Sequence, residues 1–147
     1  MFTYDEALLG LTTIVAWADG NNETPEVDAR VQMIFEEKIS DDSIESYKNK
    51  YKSLGTLEGV FDSSISSLQN EPVEKQANAL AWMWKVANIA SQGTDETYGH
   101  IDEVWKDKTE NVDLKELHWI NNAKKALKLP LEDFKKAFAI LPTTKKI

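Results

Sequence analysis

An all-α bundle of about six or seven helices is the fold this sequence predicts, and three observations predict it. Apolar residues recur at three- and four-residue spacing in almost every informative segment. Capping patterns and Gly or Pro stops cut those segments to helical lengths. No β-branched alternation runs long enough for a strand, and no Asn-Gly hairpin turn occurs.

The first helix opens with a capping box, Thr3-Tyr4-Asp5-Glu6, in which Thr3 is the N-cap and Glu6 reaches back to it. Leu8, Leu11, Val15 and Ala18 form its apolar face, flanked by Ala7 and Ile14, and Gly20 suits the left-handed stop. Thr24-Pro25-Glu26 restarts a helix whose predicted buried face is Val27, Val31, Ile34, Phe35 and Ile39. A box at Asp42-Ser43-Ile44-Glu45 opens a long face of Ile44, Tyr47, Tyr51 and Leu54, continued by Leu57, Val60, Phe61, Ile65 and Leu68. Gly55 and Gly59 are the places where that run kinks or divides.

A further start lies near Asn70-Glu71-Pro72. The stretch "ANALAWMWKVANIA" (77–90) is apolar on nearly all sides, which places it at the centre of the fold. Gly93 ends it, and residues 94–109 are polar, with one short helix expected around Ile101, Val104 and Trp105. A third box, Asp113-Leu114-Lys115-Glu116, precedes a face of Leu117, Ile120, Ala123 and Leu127. Pro130 breaks that helix, and a last one carries Leu131, Phe134, Phe138 and Leu141.

Composition narrows the function. The 147 residues suit one domain with a sizeable core, residues 1–147. With no cysteine, disulfides, thiolate zinc sites and cysteine nucleophiles are excluded. "MFTYDE" lacks the cationic flank of a signal peptide, although Ala16-Trp17-Ala18 resembles a cleavage site. No segment approaches the roughly 18 apolar residues of a membrane span. The expectation is a cytoplasmic protein. A net charge of −8 argues against nucleic acid as partner. The charge is bipolar: residues 1–109 carry net −11 and residues 110–147 net +3. A basic end folded onto an acidic body explains this, as does a surface that orients a protein partner.

Two segments repeat each other. "ALLGLTTIVAWADG" (7–20) and "ALAWMWKVANIASQG" (79–93) both begin Ala-Leu and end in a small residue, a polar residue and glycine. Each is followed, after a polar loop, by a capped amphipathic helix. The repeat places two central helices in a pseudo-twofold core. With "ETPEVDARVQMI" and the distal "LKELHWINNAKKALKLPLEDFKKAF", these stretches make the chain resemble the tellurite-resistance TerB family and its TerB-like relatives. The resemblance spans most of the chain and rests on short motifs. It implies a compact helical domain of bacterial stress-associated systems, with acidic loops suspected of binding divalent metal, and it does not imply an enzyme. In the second half the Asp-Gly of the first reads Gln92-Gly93, and the loop after it is long.

Asp19 is the leading candidate ligand on physical grounds. A carboxylate at a helix C-terminus is unfavourable by about 0.3–1 kcal/mol, because free carbonyls and the macrodipole make the potential negative there. Those same carbonyls plus a carboxylate suit a hard cation, Ca²⁺ or Mg²⁺ rather than Zn²⁺. A cation or water on Asp19 are both open readings. Glu23, Glu26 and Asp28 lie within reach in sequence, and the resemblance implies ligand roles for Glu26 and, in the second half, for Asp113. The loop is not an EF-hand, since Arg30 stands where the twelfth-position Glu belongs. His100 and His118 lack helical metal spacing, and no nucleophile motif or phosphate-cradling glycine loop occurs, so no catalytic residue is expected. An alternative to the metal reading is a metal-independent interaction module that uses the acidic surface and the 94–111 insert, with Trp105 as its anchor. The other tryptophans, Trp17, Trp82, Trp84 and Trp119, are expected in the core.

Overall fold

The computed structural model describes residues 2–17, 24–90 and 115–141, leaving aside the side chains of 24–26, 88–90 and 115–117. Among the described residues there are seven helices and no strand, as the periodicity predicts. They are α1 Tyr4–Trp17, α2 Thr24–Glu36, α3 Asp41–Leu54, α4 Leu57–Gln69, α5 Val73–Ala90, α6 Lys115–Leu127 and α7 Leu131–Ile140. No helix among them is long and apolar enough to cross a membrane.

α1 and α5 form the centre and pack on each other. Every residue of α1 from Glu6 to Ala16 is buried, so this helix has no polar face rather than the single apolar face its periodicity predicts. In α5 the run from Ala79 to Ala87 is buried throughout, with Leu80, Trp82, Met83 and Trp84 fully enclosed. The most extensive helix contacts are α1 with α4 and α5 with α7. α2 lies against both central helices, and so does α6. Exchanging α1 with α5, α2 with α6 and α4 with α7 maps the contacts of the two central helices with these neighbours onto each other. Among the described residues α3, packed on α1 and α4, and the α4–α6 contact have no counterpart, so the correspondence is partial.

The helix boundaries follow local chemistry. Thr3 and Glu6 form the capping box: the Glu6 amide donates to Thr3 Oγ1 at 3.2 Å and the Thr3 amide to Glu6 Oε1 at 2.8 Å. The cap of α3 is Ser40, whose Oγ accepts from the Ser43 amide at 3.1 Å, rather than Asp42. Gly55, at φ +73°, closes α3 in the left-handed conformation, and Thr56 caps α4 through the Gly59 amide at 3.0 Å. The long helical run thus divides at Gly55 and continues through Gly59. Lys128, also in the left-handed region, and Pro130 separate α6 from α7.

Two predicted core assignments differ. On α2, Val27, Val31 and Phe35 face solvent at 39, 59 and 80% exposure, while Ala29, Met33 and the following Ile39 are buried. Ile34, also on the predicted face, packs partly buried on the core, so the helix has two apolar arcs and the Ala29–Met33 arc is the one that faces inward. Trp17 is 43% exposed at the end of α1, whereas Trp82 and Trp84 are enclosed and Trp119 packs partly buried on Phe61. Trp105 lies outside the described residues.

α1 and α4 meet where Gly10 removes a side chain. A Cβ at Gly10 would overlap Ser64 Oγ and come within 3.1 Å of Val60 Cγ1 and 3.3 Å of Phe2 Cε2. Both Ser64 and Val60 are fully buried and cannot withdraw into water. Gly10→Ala should lower stability by about 1–3 kcal/mol despite alanine's better helix propensity. Adding Ser64→Gly should recover part of that loss in a denaturant-unfolding double-mutant cycle; additive effects would contradict a clash at this pair.

Candidate functional site

The joint between α1 and α2 is the place to which sequence reasoning points, and the described parts of both helices define it. α1 brings Leu9, Thr12 and Thr13 to the inner side of α2, where Arg30 lies between the valines of the outer ridge and the buried Met33. Thr12 and Thr13 sit mid-helix because each hydroxyl bonds back to a carbonyl one turn earlier. Thr12 Oγ1 donates to Leu8 O at 2.8 Å and Thr13 Oγ1 to Leu9 O at 2.7 Å.

This leaves the oxygens of both threonines free to accept. Arg30 Nε donates to Thr12 Oγ1 at 3.2 Å, and Arg30 Nη2 to Thr13 Oγ1 at 2.7 Å and Leu9 O at 3.3 Å. Tyr47 of α3 donates its phenol proton to the same Thr13 oxygen at 2.8 Å. Thr13 thus gives one hydrogen bond and receives two, which is the full capacity of a hydroxyl. Burial pushes the Arg30 guanidinium down from its ordinary value, with Tyr47 and Tyr51 opposing that effect. Burial likewise raises the Tyr47 phenol, against the hydrogen bond to Thr13 and the nearby Arg30 charge. Among the described residues Arg30 meets hydroxyls and a carbonyl but no carboxylate within ion-pair distance.

Two carboxylates make further nodes. Glu6, with a side chain only 2% exposed, accepts from Lys50 Nζ at 2.8 Å and from Ser46 Oγ at 2.9 Å in addition to the Thr3 amide. Burial pushes its carboxyl up, but the hydrogen bonds from Lys50, Thr3 and Ser46 outweigh burial and hold it below the ordinary 4.5. Glu37, just beyond α2, accepts from Asn78 Nδ2 at 2.8 Å and Trp82 Nε1 at 2.7 Å, fastening the end of α2 to α5. Tyr4 joins this node by accepting from Asn78 Nδ2 at 2.9 Å and donating to Lys75 O. Burial, then the charge of Glu37, raises Asp5 next to it.

Of the predicted metal ligands, Asp19, Glu23 and Asp113 lie outside the described residues. Glu26 is in the first turn of α2, with its side chain outside the description. Among the described residues no group of three or more His, Asp or Glu side chains could hold a metal ion. His118 is exposed on α6, with its Nε2 3.2 Å from Asn122 Nδ2 and its ring against Trp119. A shallow concavity of about 280 Å³ between α3, α4 and Phe2 is lined by Asn49, Lys50, Ser53, Leu54 and Ser63. It offers hydroxyls and one ammonium that Glu6 already holds.

The Arg30, Glu6 and Glu37 nodes were not visible in local pattern. Arg30 has its partners 17 to 21 residues away and Glu6 meets Lys50 across 44. Together the fold and these nodes define an all-α bundle whose second helix is locked onto a buried first helix by polar side chains. Comparison with protein-family models, with curated proteins and with solved structures finds no match.

The Glu6 node carries a pH dependence of known sign. A carboxyl held below its ordinary value stabilises the fold fully above that ordinary value, and the contribution is lost as pH falls through the lowered one. Glu6→Gln should therefore cost about 1 kcal/mol at pH 7, since water reaches Lys50 and screens the pair. It should also flatten the loss of stability below pH 4.5. Thermal melts from pH 7 down to pH 3 measure both. Arg30→Met should by contrast leave neutral-pH stability within about 1 kcal/mol of wild type, because an isosteric apolar chain avoids desolvating a charge.

Proposed function

We propose that this protein is a non-enzymatic, TerB-like binding module of the cytoplasm, in which a divalent cation at the α1–α2 connection fixes the pose of α2. Asp19, Glu23 and Glu26 supply first-half ligands, and Asp113 belongs to the corresponding second-half region. Ca²⁺ or Mg²⁺ suits such an oxygen donor set. The observation that carries this reading is the connection itself. α1 runs to Trp17 and α2 begins at Thr24, so Asp19 and Glu23 fall in sequence between the C-terminal carbonyls of one helix and the start of the next. Arg30 fastens the middle of α2 to α1 and Glu37 fastens its end to α5. A cation would secure its beginning.

A second reading, a module that binds a protein partner without metal, is favoured by the apolar side chains that α2 turns to solvent. A net charge of −8 supports a protein partner over nucleic acid in either case.

Thermal melting in EDTA and in Ca²⁺, Mg²⁺, Mn²⁺ or Zn²⁺ tests the cation. At about 100 times its dissociation constant the right ion should add roughly 2.7 kcal/mol to wild type. Asp19→Asn should abolish most of that gain. Identical melts in EDTA and in every ion would overturn the metal reading.

A further inference from the structure

α2 presents to solvent a ridge that a surface helix does not need for folding. At about 100° per residue, positions 27, 31 and 35 advance by only about 40° each and make one stripe. Val27, Val31 and Phe35 occupy it, and exposure rises along it from 39 to 80%. Ala29 and Met33, both fully buried, hold the opposite side of the same helix. A surface helix ordinarily turns charged and polar residues outward. Single exposed apolar residues are common, but three aligned over two turns form a patch. Trp17, 43% exposed, stands one turn beyond Thr13, and Val27 lies just under one turn before Arg30. Since Thr13 and Arg30 touch, Trp17 and the start of the ridge lie toward the same end of the α1–α2 pair.

The charges beside the ridge select its occupant. Asp28 is exposed beside it on α2, about 20° round the helix from Phe35. Asp41, Asp42 and Glu45 are exposed at the start of α3, which follows the Phe35 end of the ridge after a short turn. Lys38, in the turn after α2, is the exposed cation nearest in sequence. A second copy fits poorly. Pairing two ridges would bring the same exposed acids, Asp28 on α2 and Asp41, Asp42 and Glu45 on α3, toward their like in the other copy. Three side chains on one helix fall far short of the roughly 800 Å² per partner of a standard globular interface. That footprint suits a single helix laid along the ridge.

We infer that the Val27–Val31–Phe35 ridge docks an amphipathic helix of a partner protein whose apolar face is bordered by Lys or Arg. This deepens the protein-binding part of the proposed function. It does not depend on the cation, so the test is run in EDTA, where failure of the metal reading has no bearing on the outcome.

Two labelled synthetic helical peptides serve as probes. They share one leucine face spaced i, i+3, i+4, i+7 and carry either Lys or Glu at the flanking positions. By fluorescence anisotropy the Lys peptide should bind the full chain saturably, at one peptide per chain, and at least about tenfold more tightly than the Glu peptide. Phe35→Ser should weaken it about tenfold or more while melting like wild type, since Phe35 is 80% exposed. Asp28→Lys should shift the preference towards the Glu peptide. Equal binding of the two peptides, binding of neither, or indifference to Phe35→Ser would overturn the inference. So would a wild-type dimer in sedimentation that Phe35→Ser dissociates, because the ridge would then belong to a second copy.

Discussion

Burial of α1 over residues 6–16 and of α5 over residues 79–87, packed on each other, is the constraint from which the rest of the bundle follows. A helix that is apolar all round is stable only when neighbours cover every side. Trp82, Trp84, Met83 and Leu80 on α5 and Leu8, Leu9, Leu11 and Ile14 on α1 are all sealed from water. α4 covers α1, α7 covers α5, and α2 and α6 each bridge the two. Fully burying one large apolar side chain stabilises by roughly 1.5–3 kcal/mol. The outer helices are shorter or more polar and owe their place to this centre.

Within that apolar centre the polar groups are few and most are densely bonded, although the buried Trp84 Nε1 finds no partner among the described residues. Thr12 and Thr13 satisfy their protons on their own helix and leave acceptors for Arg30 and Tyr47. Glu6 serves as local cap and as long-range anchor with one carboxylate. Glu37 receives the Trp82 indole, which lets that large ring enter the core without stranding its N–H. Each node joins α1 or α5 to a helix outside it, so polar contacts set register and angle where apolar packing alone is permissive.

Much of the fold was legible in sequence because it is written in local terms. Capping residues, Pro130 and the uninterrupted apolar run at 77–90 need only near neighbours to be understood. The division at Gly55 rather than Gly59 was not legible, since both glycines permit the left-handed turn and only one adopts it. Ser40 escaped notice because Asp42 offers an equally plausible cap two residues on. The face of α2 was misassigned for a deeper reason. Its two apolar arcs compete, and the three residues Val27, Val31 and Phe35 outweigh the two, Ala29 and Met33, in a hydrophobic count. Arg30 on the inner side makes that side look like surface. Only the threonine hydroxyls of α1, distant in sequence, make an arginine acceptable there. The candidate metal ligands were legible as residue types at a helix end, but Asp19, Glu23 and Asp113 lie outside the described residues.

The unequal anchoring of α2 has a consequence for motion. Its described inner face buries Ala29 and Met33 completely, packs Ile34 partly buried on the core, and is held besides by hydrogen bonds from Arg30 and at Glu37. Lifting α2 exposes less apolar surface than parting α1 from α5, so an opening at α2 should lie below global unfolding in free energy. Amide protons of α2 should then exchange with solvent deuterium through that opening, while those of α1 and α5 wait for the whole molecule to open. The helix that carries the outward ridge would thereby shift without parting the two central helices.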